Sequence, residues 1–74
     1  MRLINHLAAH RRAAGLTQAQ LAEAIGVSRK TINTIENRVF IPSTLLGLKL
    51  AQHLGVSLHD IFELPPEIPE KDIT

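Results

Sequence analysis

Residues 15–37 read GLTQAQLAEAIGVSRKTINTIEN, and this stretch decides the fold. Apolar residues recur at helical spacing on both sides of Gly26, which predicts two short helices over residues 18–25 and 29–36. Thr17 precedes the first of them as an N-cap, and Gly26 can adopt the left-handed backbone that ends a helix. Two helices joined by so short a glycine-containing turn are typical of a helix-turn-helix.

Three more helices are predicted around this pair, over about residues 3–14, 44–54 and 58–63. Pro42 disfavours helical backbone at the residue before it and so separates the third helix from the fourth. One core is expected from apolar residues at helical spacing, namely Leu21, Ile25, Ile32, Ile35, Leu46, Leu50, Leu54, Leu58, Ile61 and Phe62. The sequence therefore predicts an all-α, compact five-helix domain over residues 1–63.

The sequence also argues against several kinds of site and several classes of protein. Residues 64–74 contain three prolines and three acids, which predicts an extended tail. The chain has no cysteine, and His6 and His10 have no third ligand at matching spacing, so no disulfide or metal site is predicted. We find no phosphate loop or nucleophile motif, which argues against an enzyme, a cofactor or a small-molecule ligand. No apolar run is long enough for a membrane span or a signal peptide, so a cytoplasmic protein is expected.

The helix over residues 29–36 has two unlike faces. Ile32 and Ile35 lie about 60° apart on the helical wheel and mark the buried side. The other side bears long cations, a carboxamide and hydroxyls, from Arg29, Lys30, Thr31, Asn33 and Thr34. These groups form hydrogen bonds with the edges of guanine and adenine and with phosphates. A helix face that only meets solvent would more often include Asp or Glu. The pattern favours a helix that reads duplex DNA in the major groove.

The sequence over residues 3–63 resembles the Cro/C1-type (Xre) family of prokaryotic helix-turn-helix transcription regulators. The matching motifs are GLTQ at 15–18, LA at 21–22, GVS at 26–28, TI at 31–32, IEN at 35–37, PS at 42–43 and LGVS at 54–57. Their order and spacing are more specific than any one of them. The resemblance implies a lambda-repressor-like fold and a sequence-specific regulator, a repressor, that binds double-stranded DNA as a homodimer.

The same resemblance implies roles for the polar residues of the motif. Arg29, Lys30, Asn33 and Thr34 on the third helix would contact bases, and Thr31 would contact a base or a nearby phosphate. Phosphates would be contacted by Thr17, Gln18, Ser28, Asn37 and Arg38. Arg11 and Glu36 match a family ion pair that ties the first helix to the third. Arg38 stands where the family commonly has glycine, so the loop after the third helix is expected to use a different backbone conformation.

Several apolar residues fall outside the predicted core and indicate a homodimer surface, namely Phe40, Ile41, Leu45, Leu48 and Leu64. Two alternatives stay open. The fifth helix or the tail could cover these residues within one subunit. The fold could instead serve a protein-interaction module, such as an antitoxin whose acidic tail binds a protein partner. Gly47 interrupts the fourth helix, and we expect it to permit close contact with another helix.

Overall fold

The computed structural model describes residues 3–66, which form five helices and one two-stranded sheet. In chain order the elements are β1 (Ile4–Asn5), α1 (Leu7–Ala13), α2 (Gln18–Ile25), α3 (Arg29–Glu36), α4 (Thr44–Leu54), α5 (Leu58–Ile61) and β2 (Phe62–Glu63). The predicted five-helix fold is confirmed. Most of the predicted tail, residues 67–74, lies outside the described residues.

Within residues 3–66, no helix has the length and apolar character needed to cross a membrane. The same part of the chain holds no cluster of three or more histidine or acidic side chains placed to bind a metal ion.

The predicted bounds of α2, α3 and α4 agree with the structure. Each helix follows a hydroxyl side chain that accepts a hydrogen bond from the third amide of the helix, which satisfies a donor that the helix itself leaves free. These bonds join Thr17 to Gln20, Ser28 to Thr31 and Ser43 to Leu46. Gly26 and Gly55 end α2 and α4 with φ of 79° and 70°, a conformation that glycine adopts without a steric penalty.

The predicted bounds of the first and last helices are wrong. α1 begins at Leu7 and not near residue 3, and α5 ends at Ile61 and not at residue 63. The intervening residues form the sheet, in which β1 pairs antiparallel with β2. The two ends of the domain are therefore joined by backbone hydrogen bonds, which helical spacing in the sequence does not indicate.

Asn5 explains why α1 begins late. Its side-chain oxygen accepts a hydrogen bond from the amide of Leu7 at 2.9 Å, which forms an Asx turn directly before the helix. Its side-chain nitrogen donates to the carbonyl oxygen of Ile35 at 2.7 Å. Asn5 thus fixes the start of α1 and ties β1 to the last turn of α3.

The core lies between α1, α2, α3, α4 and α5. Its buried members are Leu7, Leu21, Ala22, Ile25, Ile32, Ile35, Leu50, Ala51 and Ile61. Among the other predicted core residues, Leu46, Leu54 and Phe62 are partly buried and pack against this cluster. Leu58 is also partly buried but is not part of the cluster, so its assignment to the core is wrong. Gly47 is buried on α4, and a Cβ added there would lie 3.1 Å from a methyl carbon of Leu58. The absence of a side chain at Gly47 therefore lets α4 and α5 approach closely, as expected.

Arg38 departs from the expectation for the loop after α3, because it keeps the left-handed backbone that glycine would adopt. Its φ is 62°, the one positive value at a non-glycine residue among those described. The amide of Arg38 donates to the carbonyl of Ile35 at 3.0 Å, and the amide of Val39 donates to that of Thr34 at 2.9 Å. These two bonds form a Schellman motif, and they hold Arg38 in a conformation that its Cβ disfavours.

Arg38→Gly should therefore stabilise the fold. Removing a left-handed side chain gains about 1–2 kcal/mol, and the greater freedom of glycine in the unfolded chain takes back about 0.4–1 kcal/mol. The expected net gain raises the midpoint of thermal unfolding by a few degrees, measured by circular dichroism. Arg38→Ala is the matched control, because it removes the charge but keeps the Cβ. An equal rise in both variants would contradict the backbone argument.

Candidate nucleic-acid interface

α2 and α3 form the helix-turn-helix, and one face of α3 packs into the core. Ile32 and Ile35 are fully buried on that side. On the opposite side Arg29 and Lys30 are exposed, and Asn33 lies beside them in an open surface depression. The sequence order of the helix thus places two cations and a carboxamide together on the surface.

The hydroxyl residues of α3 are half-buried and partly engaged. The Thr34 hydroxyl donates to the carbonyl oxygen of Thr31 at 3.0 Å, which leaves its lone pairs and methyl group free for other contacts. The Thr31 hydroxyl lies 3.0 Å from that of Ser28, the N-cap of α3. All five residues predicted to contact bases therefore lie on one helix, with differing exposure.

The residues predicted to contact phosphates lie at the ends of α2 and α3. Thr17 and Ser28 are the exposed N-caps of these two helices, and Asn37 and Arg38 follow the last turn of α3. Gln18, the first residue of α2, is half-buried, and its side-chain nitrogen donates to Glu36 at 3.0 Å. Part of the hydrogen-bonding capacity of Gln18 is thus used inside the protein.

A buried ion pair connects α1 to α3. Arg11 donates to the two carboxylate oxygens of Glu36 at 2.7 and 3.1 Å, and also to the carbonyl oxygen of Leu16 at 2.9 Å. The Arg11 and Glu36 side chains are only 11% and 6% exposed. This bidentate geometry uses the planar guanidinium fully and fixes the position of the C-terminal turn of α3.

The ion pair changes the acidity of both partners. The hydrogen bond to Glu36 raises the pKa of Arg11, and it outweighs the opposing effect of burial. Burial raises the pKa of Glu36, but the hydrogen bonds from Arg11 and Gln18 outweigh it and hold this pKa below its ordinary value. Glu36 is therefore ionised in the folded protein at neutral pH, and its charge is neutralised within the fold.

Stability should fall as the pH falls below about 4.3, the ordinary pKa of a glutamate. The unfolded chain binds a proton at Glu36 more readily than the folded one, so the contribution of Glu36 is complete above the unfolded pKa. It is lost as the pH falls through the lower folded pKa. Carboxyl ¹³C NMR titration of Glu36 measures this pKa, and urea unfolding between pH 3 and 7 measures the stability.

Asp60 is the control for this titration, because hydrogen bonds from the backbone and side chain of Ser57 also lower its pKa. Asp60→Asn should therefore retain part of the acid sensitivity. A Glu36 titration at or above pH 4.3 would show that the ion pair does not favour the ionised carboxylate.

The five residues predicted to form a dimer surface are all exposed: Phe40, Ile41, Leu45, Leu48 and Leu64. Ile41, 66% exposed, and Leu64, 56% exposed, line one groove together with Leu58 and Phe62. Phe40 lies in an adjoining depression that also includes Ile41. Leu45 and Leu48 lie on α4 outside the lining of both. The structure thus brings three of the five residues together and places the other two further along α4.

The groove contains residues that the sequence did not indicate as surface. Leu58 and Phe62 are predicted core residues, yet both line the groove, as does Leu3. Phe62 is there because β2 pairs with β1, and Leu3 because it precedes β1. A pairing between the two ends of a domain has no local signal that could have revealed this surface.

His6 and His10, near the N-terminus, contact residues near the C-terminal end of the domain. His6 lies 3.1 Å from a carboxylate oxygen of Glu63, and His10 lies 3.1 Å from the carbonyl oxygen of Asp60. The i, i+4 spacing of the histidines places both toward the same segment. The spacing of the two histidines is visible in the sequence, but their pairing with particular residues is not.

Comparison with known proteins agrees with this architecture. Residues 7–61 match the family model HTH_3, described as helix-turn-helix. An HTH-type transcriptional regulator of Methanocaldococcus jannaschii, itself uncharacterized, is 45% identical over 58 residues, which are 78% of this chain and 88% of that protein.

Solved structures show the same fold. The restriction-modification controller protein C.AhdI from Aeromonas hydrophila matches with a TM-score of 0.70 and 31% identity, over 74% of this chain and 80% of that one. The SOS-response transcriptional repressor LexA from Eubacterium rectale matches with a TM-score of 0.73 and 26% identity, over 86% of this chain and 72% of that one. With the family match over most of its length, the chain belongs to the Cro/C1-type helix-turn-helix family of DNA-binding transcriptional regulators.

Proposed function

We propose that this protein is a sequence-specific repressor that binds duplex DNA with α3 in the major groove. The charge on the exposed side of α3 carries the proposal. Glu36 is the only acid in α3, and its carboxylate is buried against Arg11, whereas Arg29 and Lys30 are exposed. The helix therefore presents positive charge and hydrogen-bonding groups to the solvent, and its one negative charge is neutralised inside the fold.

The proposal divides the polar residues between two tasks. Base edges are contacted by Arg29, Lys30, Thr31, Asn33 and Thr34, whose side chains suit guanine, adenine and the thymine methyl group. Phosphates are contacted by Thr17, Gln18, Ser28, Asn37 and Arg38, at the ends of the two helices. The first set gives specificity, and the second fixes the position of the domain on the duplex.

Two copies of the chain bind one operator in the proposed assembly. One domain contacts too few base pairs for useful specificity, and a two-fold dimer doubles the site. The exposed apolar residues Phe40, Ile41, Leu45, Leu48 and Leu64 form the dimer surface, with Ile41 and Leu64 of the groove at its centre. Repression is favoured by the likeness to the SOS-response transcriptional repressor LexA.

Selection from a pool of random duplexes tests the proposal. The protein is expected to enrich a palindrome whose half-sites are spaced by about one helical turn, roughly 10 base pairs. The double variant Arg29→Ala, Lys30→Ala is the control and should not enrich it. A reporter gene placed behind the selected operator should be expressed less when the protein is present. Failure to enrich any sequence would contradict the proposal and favour the protein-interaction module.

A further inference from the structure

A continuous chain of polar side chains runs from the buried ion pair to the exposed side of α3. Glu36, held by Arg11, accepts a hydrogen bond from the side-chain nitrogen of Gln18 at 3.0 Å. The side-chain oxygen of Gln18 accepts from the nitrogen of Asn33 at 3.4 Å. The side-chain oxygen of Asn33 accepts in turn from the nitrogen of Asn37 at 3.1 Å. This hydrogen-bond chain thus connects α1 and α2 to the middle and the C-terminal end of α3.

The buried Arg11–Glu36 pair determines which group donates and which accepts in every bond of this hydrogen-bond chain. Arginine can only donate, and an ionised carboxylate can only accept. Gln18 must therefore direct its nitrogen toward Glu36, which leaves its oxygen toward Asn33. Asn33 must then direct its nitrogen toward Gln18 and its oxygen toward Asn37. A reversed amide at either residue would bring two donors or two acceptors together.

Asn33 keeps one N–H and one oxygen lone pair beyond these two bonds, since a carboxamide has two donors and two acceptor sites. Adenine presents the matching pair in the major groove, an N7 acceptor and an N6 donor. Guanine presents acceptors at both positions, so its O6 would meet the Asn33 oxygen. A carboxamide free to rotate would discriminate less well, because it could turn its NH2 group toward the O6 acceptor of guanine and avoid the contact between two oxygens.

We propose that Gln18 and Asn37 are positioning residues that fix the Asn33 carboxamide for adenine at one base pair of the operator. This inference rests on the proposed function, because it needs α3 in the major groove. It gives Gln18 a second role besides its contact with phosphate. Selectivity at that base pair therefore depends on a residue of α2 that does not touch the base.

Competition binding with paired operators tests the inference. The base pair read by Asn33 is first identified as the one whose preference disappears in Asn33→Ala. At that position the wild-type protein should prefer adenine over guanine by roughly fivefold or more, as a bidentate contact gives. Gln18→Met, of similar length but without an amide, should reduce this preference to about twofold or less. Asn37→Ala, at an exposed position, should reduce it in the same direction.

A double variant separates positioning from a general loss of affinity. In the Asn33→Ala background, Gln18→Met should lower affinity for every sequence equally and change no base preference further. Arg38 contacts phosphate in the proposed complex but is not part of the hydrogen-bond chain. Arg38→Ala should therefore lower operator affinity and leave the adenine preference intact. Thermal unfolding of each variant confirms that the fold is kept.

The outcomes distinguish this inference from the function on which it rests. If the wild-type protein enriches no operator, the proposed function fails and the inference fails with it. If an operator is enriched but Gln18→Met and Asn37→Ala keep the full adenine preference, only the positioning role is overturned. The same holds if Asn33→Ala changes no base preference at all.

Discussion

Arg11→Met is expected to lower the free energy of unfolding by about 3–5 kcal/mol, the effect of breaking a buried ion pair by removing one partner. The Glu36 carboxylate would remain buried, with the amide of Gln18 as its other side-chain donor. The carbonyl of Leu16 would also lose a donor. A domain of this size has a total stability of only about 4–11 kcal/mol, so the loss is a large part of it. Urea unfolding followed by circular dichroism measures the change.

Arg12→Met is the matched control for this variant. Arg12 is the next residue of α1 and is exposed, so its replacement removes the same charge without breaking a buried pair. Its effect should stay within about 0.5 kcal/mol. The double variant Arg11→Met, Glu36→Met should recover much of the lost stability, because no uncompensated charge remains. Equal destabilisation by Arg11→Met and Arg12→Met would show that the pair contributes little.

Ile41→Asp is expected to abolish dimer formation and to weaken operator binding about 100-fold or more. The substitution places a carboxylate in the groove where two copies are proposed to meet, and burying it there without a partner is costly. Binding through two linked domains exceeds that of one by about 10²–10⁴, so a monomer loses most of its affinity. Analytical ultracentrifugation measures the assembly, and titration of the selected operator measures the affinity.

Gln52→Asp provides the control for the added charge. Gln52 is exposed on α4 and lines neither the groove nor the depression beside it. It should leave both the dimer and the operator affinity unchanged. At a protein concentration too low for the dimer to form, thermal unfolding should be similar in the two variants, because Ile41 is exposed in the single subunit. A wild-type protein that is monomeric on its operator, or an Ile41→Asp protein that still forms the dimer, would contradict the proposed surface.

The helix-turn-helix could be predicted from the sequence because its signals are local. Thr17, Ser28 and Ser43 each cap the helix that follows them, and glycine ends α2 and α4. A cap and a stop within a few residues determine the bounds of a helix almost without tertiary context. The charge pattern of α3 is local in the same sense, since it depends only on helical spacing.

The remaining features depend on contacts between distant parts of the chain. Asn5 fixes the start of α1 by its bond to the Leu7 amide, and a second bond holds Asn5 against α3. The strand β1 is defined only by its pairing with β2. Arg38 keeps a left-handed backbone because the hydrogen bonds of the Schellman motif outweigh its steric cost. The direction of the Asn33 amide follows from a charge buried two residues away in the hydrogen-bond chain. None of these can be obtained from spacing alone.

The sheet joins residues that are far apart in sequence, as the contact between His6 and Glu63, 57 positions apart, illustrates. Closing a loop of that length costs more conformational entropy than bringing together two helices that follow each other directly. The contacts between α2 and α3 should therefore form early in folding, and the union of the two chain ends should form late. Partial opening of the native protein would then begin at the ends and leave the helix pair that faces DNA intact.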